Sequence, residues 1–107
     1  MLLLCLCSCP RSHASAIVDD VVRLRLAATV FTLPAAWALH PWRDDPIVPD
    51  EATLLAVVPE PKAEAFHETV AALHPEQRPV LVYLPVEAAP DAYLDLVAQR
   101  LGVSREG

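Results

Sequence analysis

Glycine is almost missing from this chain: Gly102 and Gly107 are the only two among 107 residues. Phosphate-cradling loops and nucleophile elbows need a close backbone approach that glycine allows. The scarcity therefore excludes a P-loop, a G-x-G-x-x-G dinucleotide turn and a G-x-S-x-G elbow. The common mononucleotide enzymes go with them, and no cofactor is called for. Basic charge is scarce too, with 8 Lys and Arg against 14 Asp and Glu and a net charge of -6. A chain of that sign has no field to draw it to phosphate backbones, which argues against nucleic acid as a partner.

What the chain does have is apolar bulk and proline. Hydrophobic residues make up 54%, enough to exclude global disorder, and 11 prolines punctuate the sequence. TLLAVV at 53–58 and VLVYL at 80–84 are short apolar runs bounded by proline, the pattern of strands buried on both faces. Between them, Ala63, Phe66, Val70 and Leu73 recur at helical spacing behind Pro61, which predicts a helix over about 61–74. Leu94, Val97, Ala98 and Leu101 repeat the pattern over about 90–101, with Gly102 as the stop.

Strand, helix, strand, helix predicts a small α/β fold whose two strands lie parallel through a right-handed crossover. Two strands alone make a poor sheet, so a third is expected from Val21 to Leu33 or from another copy of the chain. VVRLRL alternates as a strand does, yet Ile17, Val21, Leu24, Ala28 and Phe31 keep helical spacing, and both readings stand. The domain plan that follows is a leader-like apolar segment over 1–38, a linker rich in proline and acid over 39–52, and a small α/β domain over 53–107.

Two stretches resemble targeting signals. Leu2 to Cys7 is a short apolar run before Ala14-Ser15-Ala16, and LAATVFTLPAAWA follows Arg23 and Arg25 with the charge, apolar stretch and small residues in order. Residues 23–42 also offer a membrane contact, since 26–42 carry no formal charge, with Trp37 and Trp42 at the flank. Export or membrane association is one localisation, and the cytoplasm the other.

Cys5, Cys7 and Cys9 with His13 form a Cys3His set, a valid zinc combination by ligand type. Structural zinc sites space their paired cysteines by two to four residues, and no second ligand cluster exists to close around an ion. Apolar cysteines within a leader are the simpler reading. His67 and Glu68 open HETVA, which lacks the second histidine one turn on that a metalloprotease helix requires. For a ligand site, the parallel arrangement points beyond the carboxyl ends of the strands, to Glu60 and Lys62 after the first and Glu87 and Asp91 after the second.

RPVLVYLPVEAAPDAYLDLVAQRLG, Arg78 to Gly102, resembles an early strand, loop and helix of the α/β-hydrolases. The resemblance implies local architecture alone, because Pro85, Val86, Glu87 and Ala88 stand where that family has oxyanion-loop glycines. The leading expectation is a non-catalytic α/β domain acting through self-association or a protein partner. The alternatives are a fragment or diverged relative of an α/β enzyme with a polar site at the strand carboxyl ends, and an exported or membrane-anchored small protein.

Overall fold

The computed structural model describes residues 1–39, 41, 47–76 and 79–105, with backbone alone for 34–39 and 47–49. The chain runs β1 (Leu2–Pro10), α1 (Arg11–Arg23), β2 (Thr29–Leu39), β3 (Ile47–Pro59), a 3-10 turn (Glu60–Lys62), α2 (Ala63–Leu73), β4 (Val80–Val86) and α3 (Asp91–Leu101). The four strands form one sheet in the order β2-β3-β1-β4. A β-α-β-β-α-β chain with this strand order is the ferredoxin-like arrangement, here extended by α3.

Every neighbouring pair is antiparallel, which corrects the expected parallel pair. The reason lies in β1. Leu2 to Ser8 pair with Pro59 to Thr53 on one side and with Val86 to Val80 on the other. β3 and β4 thus run in the same direction, but β1 is inserted between them, and the apolar runs read as partners never touch as a ladder. Residues 1–38, expected to be leader-like, contain the central strand, α1 and most of β2. The end of the 39–52 linker stretch joins β3, while residues 40 and 42–46 lie outside the described residues.

The choice between strand and helix over 17–33 resolves into both. α1 ends at Arg23 and the strand begins at Thr29. No helix among the described residues is long and apolar enough to cross a membrane; the apolar run after Arg25 is largely β2. The hydrolase resemblance stops at the local level, because β4 is an outer strand of an antiparallel sheet rather than part of a parallel one.

α1 and α2 pack on one face of the sheet. Ile17 and Val21 from α1, with Phe66 and Val70 from α2, meet Cys5, Cys7, Cys9, Ala52, Leu54, Ala56 and Val58 in one core. The sheet contributes mostly small side chains, so the helices can approach closely and supply the bulk themselves. Phe66 also meets Tyr83 edge-on at 6.5 Å.

Helix ends follow the sequence in one case and defy it in another. Gly102 takes a left-handed φ of 64°, and the amides of Gly102 and Val103 both donate to the Ala98 carbonyl. α1 ends in the same kind of motif, the Leu26 amide donating to the Val21 carbonyl and the Arg25 amide to that of Val22, but the left-handed position is held by Arg25 at φ 55°.

Candidate functional site

Alternation along β1 sorts its residues onto two faces. Cys5, Cys7 and Cys9 point into the helix-covered core and are 0 to 1% exposed. Burial pushes the Cys5 and Cys7 thiols up to about 12 and the Cys9 thiol up to about 11; the charge of Glu51 adds to the effect at Cys7 and Cys9. Thiols held protonated are poor nucleophiles. His13 sits on α1 with its Nδ1 3.1 Å from the Ser12 hydroxyl. Among the described residues, no group of three or more His, Cys, Asp and Glu side chains is arranged to hold a metal ion.

A polar node closes the far end of β1. The Ser8 hydroxyl donates to Glu51 Oε1 at 3.2 Å, and His74, at the end of α2, lies with Nε2 2.7 Å from the Ser8 carbonyl. The Glu76 amide donates to His74 Nδ1 at 3.1 Å, so Nε2 carries the hydrogen and donates to Ser8. Both ring nitrogens are thereby occupied, and the ring fastens α2 to β1. Glu51 is 5% exposed, and its Oε2 is buried with no hydrogen-bond partner among the described residues. A buried carboxylate oxygen without a donor costs free energy, so among the described residues of the node Glu51 keeps unused hydrogen-bonding capacity. Neither Ser8, Glu51 nor His74 stands out in the sequence. The one usable signal was that β1 alternates, which would have shown that Ser8 does not face the same way as its cysteine neighbours.

The strand-end charges are placed at one end of the sheet, beside the Pro59, Leu2 and Val86 row. Glu60, Glu87 and Asp91 are exposed and Lys62 is half-buried. The Glu60 amide donates to the Met1 carbonyl, and Asp91 accepts from Arg105 at 2.8 Å, an ion pair that ties the chain's end back to the first turn of α3. None of the four lines the groove between α1 and α3.

The second face of the sheet is apolar and open. Reading across the strands, Phe31, Leu55, Leu6 and Val82 lie opposite one another in one row, and Val57, Leu4 and Leu84 in the next. Phe31 is 55% exposed, Leu33 50%, Val82 45% and Leu84 50%. α3 meets a corner of this face through the Tyr93 hydroxyl, 2.7 Å from that of Thr29. A contiguous apolar surface on a four-stranded sheet marks an interaction site rather than scattered surface residues.

Residues 3–100 match the family model of the CutA1 divalent ion tolerance protein. The divalent-cation tolerance protein CutA of Thermus thermophilus is 30% identical over 92 residues, which cover 86% of this chain and 85% of the relative. The solved structure of the Thermus thermophilus protein superposes with a TM-score of 0.81 at 32% identity, over 90% of this chain and 94% of the other. CutA from Xylella fastidiosa superposes with a TM-score of 0.84 at 27% identity, over 94% and 97%. A β1 flanked by β3 and β4, with α1 and α2 on one face, and a family match spanning nearly the whole chain give one conclusion: this chain belongs to the CutA1 divalent ion tolerance protein family.

Proposed function

We propose that the chain is a non-catalytic divalent-cation tolerance protein that works as an assembly of its own copies, joined through the open face of the sheet. The observation that carries this reading is the apolar row of Phe31, Leu55, Leu6 and Val82 with its exposed ends. A second copy offers the same surface, and a self-complementary apolar face is what a homo-oligomer needs. The relatives' description as divalent-cation tolerance proteins supports the cellular role. Absence of catalysis is supported by the protonated thiols of β1 and by a His74 whose two nitrogens are both engaged.

Light scattering behind size exclusion, run on the full chain over a range of concentrations, tests the assembly. The expected result is a defined oligomer that Phe31→Asp with Val82→Asp converts to folded monomer, because a charge buried at the interface without a partner is costly. A wild-type monomer at every concentration would overturn the proposal. The cellular role is tested by growth on graded divalent transition-metal salts in cells that depend on this chain for tolerance. The dissociating variant is expected to lose tolerance, and full tolerance from a monomer would separate function from assembly.

A further inference from the structure

Between the end of α1, the start of β2 and α3 lies a groove of about 330 Å³. Its floor is apolar, built from Ala27, Val97 and Leu101, which are buried, and its rim carries Arg25 and Arg100. The volume falls at the lower end of the range for small-molecule sites.

The two arginines are unusual for this molecule. In a chain with 14 acidic residues and a net charge of -6, neither guanidinium makes an ion pair with a carboxylate among the described residues. By contrast Arg11 and Arg105 are paired with Asp50 and with Asp91 and Asp95. Arg25 Nη1 donates to the Arg100 carbonyl at 3.4 Å, a long bond that engages one of its five N–H donors and is the one hydrogen bond of that side chain among the described residues. The backbone at Arg25 is held at φ 55°, in the helix-ending position that favours glycine. A strained residue that keeps a charged side chain at a groove rim, where glycine would be cheaper, is evidence of a role for that side chain.

We propose that this groove is a binding site for a small amphipathic carboxylate, with the anionic head between Arg25 and Arg100 and an aliphatic chain on the Ala27, Val97 and Leu101 floor. A carboxylate suits the planar donor fork of arginine, and both arginines border the same groove. The Tyr93 hydroxyl is already engaged with Thr29, so specificity for the head falls to the arginines.

Titration calorimetry of the full chain with decanoate, decanol and decyltrimethylammonium tests the site. Decanoate is expected to bind with one site per protomer and at least tenfold more tightly than either other probe. Arg100→Gln and Arg25→Gln are each expected to weaken it at least tenfold. Arg25→Gly is the folding control: it removes the positive-φ strain and so raises thermal stability, while losing the same affinity. Equal binding of decanol, affinity unchanged in the arginine variants, or binding abolished by Phe31→Asp on the open sheet face would each overturn the proposal.

Discussion

Replacing Cys5 separates two views of the cysteines on β1. Cys5 is fully buried between Ala56 and Tyr83 in the register of the sheet, facing the helices. If it acts as a small apolar filler, Cys5→Ala removes one heavy atom from a packed core and costs about 1 kcal/mol, as for a single buried methylene. Cys5→Ser keeps the shape but places a hydroxyl where the sulfur makes no hydrogen bond, which costs about 2 kcal/mol in desolvation. The more conservative-looking change is thus the more damaging one. For a domain of this size 1 kcal/mol corresponds to roughly 4 °C in Tm, so the expected drops are about 4 °C for alanine and about 8 °C for serine. Calorimetry at one fixed protomer concentration measures both, because assembly would make Tm depend on concentration. A serine variant as stable as the alanine variant, or more so, would show that the thiol has a polar partner and would refute the filler argument.

Alkaline pH and the helix stop give further tests. The thiols of Cys5, Cys7 and Cys9 are raised from 9.0 to about 12, 12 and 11 in the folded chain, so between pH 9 and their folded values the unfolded state has lost protons that the folded state keeps. Stability is therefore whole below pH 9 and falls above it, by about 1.4 kcal/mol per pH unit for each thiol; urea midpoints taken from pH 8 to 11 that stay level in the wild type would contradict this. At Gly102, a Cβ meets nothing within 4 Å, so the cost of Gly102→Ala is backbone strain at φ 64° alone, about 1 kcal/mol. Gly102→Asn should recover part of that loss in urea unfolding, and an alanine variant as stable as wild type would remove the argument.

The legible parts of the fold were those where one periodicity dominated. Phe66 and Val70 on α2, and Val97 and Leu101 on α3, are buried as their spacing requires, and Gly102 ends α3. The runs at 53–58 and 80–84 are strands, but apolar character on both faces says nothing about which strand lies alongside. β1 was hidden because its two faces are both apolar: leucines alternate with cysteines, so the period of two carries no contrast in polarity and looks like a leader. The expected parallel sheet failed for that one reason. Among the candidate site residues, Asp91 serves the first turn of α3 and its Arg105 partner, a local role that charge at a helix start explains. Glu51 was obscured by its setting in a stretch of proline and acid, where burial is the last thing composition suggests. Arg25 and Arg100 are 75 residues apart and meet only through the packing of α3 beside the end of α1.

The place of β1 also sets the timetable of folding. β1 sits inside the sheet, and its partners Glu51 to Pro59 and Val80 to Val86 are synthesised after it. Its ladder is made wholly of distant contacts, the class that closes slowly. MLLLCLCSC, apolar in its side chains, therefore stays with both edges bare until β3 and β4 have been made, the condition in which short β-prone segments pair with the wrong chain. The stretch that holds the finished sheet together is the one left without a partner until the last of its strands arrives.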